Sequence, residues 1–388
     1  MQITLLTELF RKSINIALKS IADKVINPVL DTVRISAEGS YAIRIESTDV
    51  STWTVVTCPV VSMNGLKMPF LMNAKTVASI MSNMLEDTFT ISGTDDEKPV
   101  KIKCNGKAKG QLTVPTITDY TQFPDISTEV VIGPRIQIEA QQLTDILMLT
   151  SFSIQKDNFN GPLKGLNINL DNSTLNFVGA DGNRLSRVST HIAVDPDNSS
   201  YSEILSLNTV NELKEIAKMC KKEDVITLVL GKSLMVTEIE SDIKISYYSR
   251  YTTDQYPKIT QLFTKAETGR LSCDKDFLIN SLKLISSNIE VPIVIFTLDK
   301  KEVPVLQVSL EDSNMNTIEL TDTTYTGDPL VVGFSPKYIV EALDKLKPAH
   351  IAVQDIEVIF TGILNPLSIE QSSNNFELVH LIMPMRIN

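Results

Sequence analysis

The chain has 388 residues, of which 43% are hydrophobic and 21% charged, and its formal net charge is −11. This is the composition of folded globular domains, and it excludes a disordered or collagen-like protein and one whose whole surface attracts nucleic acid. The four cysteines are too sparse for a disulfide scaffold, and no two have the spacing of metal ligands. Because no apolar run could span a bilayer and the first ten residues lack a signal-peptide pattern, we expect a reduced, cytoplasmic protein.

Helical and strand-like stretches follow each other in groups that recur along the chain. Apolar residues at a 3.6-residue period predict helices over 7–21, 73–85, 140–154, 207–219, 274–289 and 335–346. Alternating or β-branched runs predict strands at 41–46, 54–61, 88–92, 174–178, 225–230, 243–248, 291–298 and 303–310. The runs 100–104 and 107–114 flank Asn105-Gly106, which predicts a hairpin with a two-residue turn.

Three features of the sequence share one period. Phe123-Pro124 is echoed by Tyr256-Pro257, 133 residues later, within similar heptapeptides. A polar turn at Asp49 is echoed 132 residues later at Asp181, after a similar strand. The second helix of each group aligns at Val77, Val210 and Ile339. This agreement predicts an α+β protein of three similar domains of about 130 residues, with boundaries at 1–125, 126–256 and 257–388.

Motifs for catalysis are missing from the sequence. Gly231-Lys232-Ser233 resembles the end of a phosphate-binding loop but lacks the upstream glycine, so a turn at a strand end is the better interpretation. The histidines have no partners at metal-ligand spacing. We therefore expect no catalytic residues, no metal and no cofactor. Two alternatives remain: an enzyme built on tandem repeats with a ligand or active site between domains, and a tandem-domain adhesion or structural protein, which the absent signal peptide disfavours.

Two further segments carry a resemblance to a known family. They are the turn Ala180-Asp-Gly-Asn-Arg-Leu185 and the terminal Met383-Pro-Met-Arg-Ile387. With the threefold repeat and the Phe-Pro and Tyr-Pro junctions, they resemble the bacterial β sliding clamp, the processivity factor of the replicative DNA polymerase. The likeness extends over the whole chain and looks distant, as for a member from a divergent bacterium or a phage.

The resemblance implies the DNA clamp fold and a head-to-tail homodimer, in which six domains form a ring around duplex DNA. Such a ring tethers the polymerase, has no catalytic activity, and is opened by a separate ATP-driven loader. Its partners are duplex DNA, a second copy of the chain, the replicative polymerase, the clamp loader and repair proteins, with no membrane. We expect it to be nucleoid-associated in the cytoplasm.

The family binds short partner peptides in a groove between its second and third domains. The matching positions are Leu163, Ala180, Gly182, Asn183, Arg184, Leu185, Pro257, Leu262, Leu364, Pro366, Leu381, Ile382, Met383, Pro384, Met385 and Arg386. Most are apolar, as a groove for an extended peptide requires, and the methionines let it accept several partners. We expect the two arginines to meet carbonyls or acidic groups of the peptide. Alternatively, these residues only pack the domain junction.

Three groove positions depart from the family pattern, so the preferred peptide is expected to differ. Asn183 stands where histidine is common, Gln261 where arginine is common, and Ala180 where threonine is common. The polar and aromatic residues with which the family contacts DNA just before Leu163 are also replaced here. The sequence therefore does not predict whether this DNA contact is made.

The resemblance places Lys24 and Lys75 among the residues that face DNA. Positions on the predicted helices add Lys12, Lys156, Lys218 and Lys221. These helices are together slightly basic while the rest of the chain is acidic, as a DNA-lined hole in an acidic ring requires. Alternatively, these lysines lie on exposed helix surfaces and contact only solvent.

Ring closure requires an edge of the first domain to meet an edge of the third. Lys101, Lys103, Lys107 and Lys109 recur at even spacing and are expected on one face of the predicted hairpin. The third domain offers Asp299, Glu302, Glu311 and Asp312 as acidic partners, and Leu284 and Ile285 match the family's apolar interface pair. Alternatively, the lysines protect an edge strand from aggregation.

Overall fold

A computed structural model describes residues 1–21, 27–93, 99–106, 110–117, 120–126, 131–156, 161–192, 200–287, 289–290, 292–309, 315–346, 354–373 and 375–387. All six predicted helices are present: α1 Thr7–Ala17, α2 Ala74–Asn83, α3 Ala140–Ser151, α4 Leu207–Lys218, α5 Lys275–Ile285 and α6 Pro336–Lys345. They are shorter than predicted, and α1 passes into a 3₁₀ turn at Leu18–Ser20. Side-chain oxygens cap several of them: Asn73 accepts from the Thr76 amide and Asp274 from the Phe277 amide. None of the helices in the described ranges is long and apolar enough to cross a membrane.

Strands make up most of the remaining described structure. In chain order they are β1 Gln2–Leu6, β2 Thr32–Glu38, β3 Ala42–Thr48, β4 Thr52–Pro59, β5 Ser62–Asn64, β6 Phe70–Asn73, β7 Thr88–Ser92, β8 Val100–Cys104, β9 Gln111–Val114, β10 Thr116–Ile117, β11 Arg135–Glu139, β12 Gly165–Asp171, β13 Thr174–Ala180, β14 Arg184–His191, β15 Ser200–Ser206, β16 Val225–Leu230, β17 Leu234–Glu240, β18 Lys244–Arg250, β19 Gly269–Asp274, β20 Val294–Leu298, β21 Val305–Ser309, β22 Met315–Glu319, β23 Thr324–Gly327, β24 Leu330–Phe334, β25 Asp355–Phe360, β26 Leu367–Ser372 and β27 Glu377–Ile382.

The chain forms two compact units, and the first comprises residues 1–144 and 211–251. It holds a five-stranded sheet, β5-β1-β7-β8-β9, and a nine-stranded sheet, β10-β6-β2-β3-β4-β18-β17-β16-β11. Helices α1 and α2 pack together, and α1 lies against β4. Phe10 of α1 meets Phe89 of β7 edge-on at 5.2 Å between ring centroids. The first unit thus buries the apolar faces that the helical periodicity predicts.

The second unit comprises residues 145–210 and 252–388. Its nine-stranded sheet has the order β15-β12-β13-β14-β27-β26-β25-β19-β23, and its four-stranded sheet the order β22-β21-β20-β24. Helices α5 and α6 pack together. Phe296, Phe334 and Phe360 form an aromatic cluster with centroids about 6 Å apart. Antiparallel pairing throughout the described sheets, with few helices, confirms the predicted α+β class.

Each nine-stranded sheet contains a pairing that joins one sequence repeat to the next. In the first unit β4 pairs with β18, with Thr52 opposite Ser249. In the second unit β14 pairs with β27, with Arg184 opposite Ile382. The partners in the second pairing lie 132 and 133 residues after those in the first. The repeat read from the sequence is therefore also a repeat of strand pairing.

The hairpin around Asn105-Gly106 differs from the two-residue turn predicted. Lys103 lies opposite Gln111, and the Cys104 amide donates to the carbonyl of Gly110. The connection therefore runs from Asn105 to Gly110. Asn105 does not form a two-residue turn, because its side chain is bonded to β7: Nδ2 donates to Thr90 Oγ1 at 2.8 Å. Lys107 and Lys109 fall in this connection, outside the described residues.

Candidate functional site

A polar turn in the second unit brings β13 back into β14. Asp181 Oδ1 accepts the amides of Asn183 and Arg184 at 3.0 and 3.1 Å. Gly182 has φ +88°, a conformation that glycine adopts without strain. The turn therefore projects Arg184 and Leu185 from a fixed backbone.

The C-terminal segment is tied down on both sides. The Met383 amide donates to the Asn183 carbonyl at 2.8 Å, and the Met385 amide donates to the Gly333 carbonyl at 2.8 Å. Backbone bonds thus carry the segment from the polar turn to β24. From the sequence, the C-terminal segment could either pack into a core or line a groove. In the structure its backbone is bonded to neighbouring strands and turns, while Met383 and Met385 border cavities.

The first cavity, which we call the anchor pocket, has a volume of about 240 Å³. Nine residues of the predicted groove line it, together with Lys258, Ile259 and Gln261: Leu163, Ala180, Gly182, Arg184, Leu185, Pro257, Leu262, Leu381 and Met383. Aliphatic side chains dominate the walls, and the strands of the nine-stranded sheet form the floor. This is an environment for an apolar side chain of a ligand.

The second cavity, the tail pocket, has a volume of about 490 Å³. The predicted residues Leu364, Met383, Pro384, Met385 and Arg386 line it. So do Val331, Val332, Gly333, Ile363 and Ile387, which sequence reasoning missed. Met383 borders both pockets. Most of the groove residues predicted along the chain therefore converge on two adjacent cavities.

Three predicted groove residues line neither pocket. Asn183 contributes its carbonyl to the tail segment. Pro366 is buried and borders a separate cavity near Arg270. Ile382 is only 1% exposed, which corrects its assignment to the groove. Successive side chains of a strand point to opposite faces, so Leu381 faces the anchor pocket and Ile382 faces the core.

Arg184, which we expect to meet carbonyls or acidic groups of a peptide, is already bonded to groups of its own chain. Its Nε donates to Asp181 at 3.0 Å, Nη2 donates to the Phe152 carbonyl at 3.1 Å, and Nη1 pairs with Glu341 of α6. The guanidinium also lies over the ring of Tyr338, 4.8 Å from its centroid. Only 9% of the side chain is exposed. Arg184 thus braces the turn against α6.

A buried polar chain lies beneath the anchor pocket. His380 Nδ1 is 2.7 Å from Ser186 Oγ, which is 2.6 Å from Ser153 Oγ. Burial, reinforced by the charge of Arg184, lowers the pKa of His380 to about 3. The imidazole is therefore neutral at physiological pH.

The predicted DNA-facing lysines lie on or beside four helices, except Lys24, which is outside the described residues. Lys75 is exposed in the first turn of α2, Lys12 is half-buried on α1, and Lys156 is exposed beyond α3. Lys218 pairs with Glu215 at 3.0 Å and Lys221 lies 3.9 Å from Asp242. Exposed ion pairs are weak, so these two lysines stay available to an outside anion.

The predicted interface residues separate into exposed and buried ones. Lys103 on β8, Leu284 on α5 and Glu302 are exposed, Leu284 to 69%. Ile285 is 2% exposed and belongs to the core, which corrects its assignment to the interface. The apolar face of α5 points inward at Ile285, while the neighbouring Leu284 points out. Strand β9 is an end strand of its sheet, and three of its four residues are exposed.

Comparison with known proteins identifies the family. Residues 137–258 match the central domain of the DNA polymerase III beta subunit, and residues 261–386 match its C-terminal domain. The beta sliding clamp of Bacillus subtilis is 24% identical over 287 residues, covering 73% of this chain and 71% of the relative. That of Lactococcus lactis is 22% identical over 399 residues, covering 98% and 97%.

Solved structures agree over the full length. The DNA polymerase III beta subunit of Thermotoga maritima superposes with a TM-score of 0.83 at 20% identity, covering both chains completely. A putative DNA polymerase III beta subunit from Eubacterium rectale gives 0.84 at 18% identity, again with complete coverage. The fold is therefore that of the DNA clamps, and the chain belongs to the family of β sliding clamps, the beta subunits of DNA polymerase III.

Proposed function

We propose that this chain is a processivity clamp that encircles duplex DNA and tethers the replicative polymerase. Membership in the β clamp family, with the clamp fold over the whole chain, is the observation that carries this function. The clamp acts without catalysis or a cofactor, in the cytoplasm and on the nucleoid. No arrangement within the described ranges favours the alternative of a tandem-repeat enzyme.

The proposed ring is a head-to-tail homodimer in which each chain supplies domains 1–125, 126–256 and 257–388. The repeated strand pairing at Thr52 and Arg184 supports this division, since each pairing links consecutive repeats. Lys103, Lys107 and Lys109 would meet acidic residues such as Glu302 across the interface, with Leu284 as an apolar contact. Lys12, Lys24, Lys75, Lys156, Lys218 and Lys221 would face DNA and bind phosphates regardless of sequence.

The anchor and tail pockets would bind short peptides from polymerase, clamp loader and repair proteins. Their aliphatic walls and shared Met383 suit an extended peptide with apolar side chains. A Pseudomonas aeruginosa sliding clamp has been solved with griselimycin bound. We therefore choose griselimycin as the probe of the anchor and tail pockets of this chain.

Retention on circular DNA tests encirclement. The protein is loaded onto a nicked circle with a compatible loader, the complex is isolated, and the DNA is cut once. We expect retention on the circle and loss from the linear form, since a ring slides off an end. Equal behaviour on both forms would overturn the proposal.

Calorimetric titration with griselimycin tests the peptide groove. Met383→Ala and Leu262→Ala are expected to weaken binding by about tenfold or more, because each removes wall contacts worth roughly 1.5–3 kcal/mol. Val61→Ala, at an exposed apolar residue outside both pockets, is the matched control. Unchanged binding in both groove variants would show that the pockets are not the site.

A further inference from the structure

A third cavity of about 380 Å³ lies beside the anchor pocket and differs from it in chemistry. Its floor is polar, formed by side chains of β12–β15, including Asn167, Asn169 and Asn176. Arg187, Tyr256 and Lys258 also line it. Pro257, Lys258 and Ile259 border both cavities, so the two sites share one wall.

Arg187 is a fixed cation that has no ion pair within the described ranges of the chain. Its guanidinium lies 3.7 Å from the centroid of the Phe263 ring, which holds its plane in place. Its Nε is buried, and no residue in the described parts of the chain accepts a hydrogen bond from it. Burial lowers its pKa, while the more distant charges of Glu377 and Glu370 act in the opposite direction. A half-buried guanidinium whose Nε lacks a bonded acceptor favours an anion.

Tyr256 supplies a second unused donor. Its hydroxyl is buried and has no hydrogen-bond partner within the described residues. Burial raises the pKa of the phenol, so the proton is retained and is available for donation. Leaving a buried donor unsatisfied costs about 1–3 kcal/mol. Two such donors on one cavity indicate a ligand with acceptor oxygens.

We propose that this cavity binds the carboxylate of an acidic residue in a partner peptide whose apolar residues occupy the anchor pocket. The inference rests on the proposed function and adds a specificity determinant to it. A carboxylate matches the planar guanidinium edge of Arg187, and Lys258 at the shared wall adds positive charge. Among the described residues that line the cavity, the one carboxylate is that of Asp171, which accepts a hydrogen bond from Asn172 Nδ2 at 2.9 Å. Asn169 and Asn176 provide further polar contact for the peptide backbone.

Paired synthetic peptides test the inference by fluorescence anisotropy. Each labelled peptide carries a Leu-Phe anchor in a Gly/Ser background, and a single Asp or Asn is placed at each other position in turn. At one position on one side of the anchor, Asp is expected to bind about tenfold more tightly than Asn, as a charge-assisted hydrogen bond requires. If Asp gave no advantage at any position while the anchor still bound, the inference would fail and the proposed function would stand. If no peptide competed with griselimycin, the proposed peptide groove itself would fail.

Two variants assign the effect to the cavity. Arg187→Gln is expected to abolish the preference for Asp and to leave the affinity of the Asn peptide unchanged. Tyr256→Phe removes only a hydroxyl that has no partner within the described residues, so we expect folding to be preserved while the Asp advantage falls several-fold. A preference for Asp that survived both variants would place the carboxylate elsewhere. Tight binding of inorganic phosphate in the absence of peptide would instead assign the cavity to a free anion and overturn the inference.

Discussion

Asp49 and Asp181 make the same turn in the two units of the chain. Asp49 Oδ1 accepts the amides of Ser51 and Thr52, as Asp181 Oδ1 accepts those of Asn183 and Arg184. The residue after each aspartate has positive φ: 75° at Val50 and 88° at Gly182. One turn thus places a β-branched residue where the other places glycine, and a valine in this conformation is strained.

Relief of this strain is the first prediction. Val50→Asn is expected to stabilise the first unit by about 1 kcal/mol, because asparagine tolerates positive φ and Val50 is half exposed. Urea unfolding followed by fluorescence of Trp53, the single tryptophan, measures this. Gly182→Ala is the converse: the new Cβ meets no atom within 4 Å, so a loss of about 1 kcal/mol arises from the backbone alone. Unchanged stability in both variants would contradict the strain argument.

The brace formed by Arg184 gives the second prediction. Arg184→Lys is expected to cost about 2–4 kcal/mol, because lysine cannot reach Asp181, Glu341 and the Phe152 carbonyl together. Thermal unfolding of the second unit measures it. Arg270→Lys is the control, since Arg270 pairs with Glu267 and Glu357 on a more exposed surface and should cost under about 1 kcal/mol. Equal losses of stability in Arg184→Lys and Arg270→Lys would show that Arg184 does not brace the turn against α6.

His380 gives a prediction of pH dependence. The pKa of His380 is lowered from 6.5 to about 3 in the folded protein. Between pH 6.5 and pH 3, therefore, His380 is protonated in the unfolded chain but neutral in the folded one. Its contribution to stability is complete above the unfolded pKa and declines as pH falls through that window. His380→Asn should therefore reduce the loss of stability between pH 7.5 and pH 5, measured by urea unfolding. The same loss in both proteins would show that other groups govern the acid response.

The proposed DNA-facing surface gives the fourth prediction. Lys75→Gln is expected to shorten retention on circular DNA. The slope of log affinity against log salt concentration should also fall by about one unit, because one phosphate contact is lost. Lys244→Gln is the control, because Lys244 lies on β18 in an exposed pair with Glu240. Identical salt slopes for the wild type and Lys75→Gln would place Lys75 away from DNA.

Local patterns predict local structure well in this chain. Periodicity located all six helices, because each buries one apolar stripe, and it overextended their ends, where 3₁₀ turns and caps take over. The Asn105-Gly106 signal gave the wrong turn because a long-range bond from Asn105 to Thr90 competes with local turn chemistry. Family position predicts surface roles for Ile285 and Ile382, whereas both side chains point into the core, because orientation is set by the packing of the helix and the sheet.

The sequence by itself determined the repeat, the α+β class and the family, because these depend on spacing and on residue types that recur along the chain. It also predicted most of the residues that line the two pockets. Only the tertiary structure decided how these pockets are built. Pairing of β14 with β27 brings the Asp181 turn to the C-terminal segment, commits Arg184 to α6 and buries His380 beneath Leu381. It also places Arg187 Nε and the Tyr256 hydroxyl beside the anchor pocket, without a hydrogen-bond partner among the residues that the structure describes. Contacts between residues nearly two hundred positions apart leave no periodic signal, since they arise from the packing of a sheet and not from any local propensity.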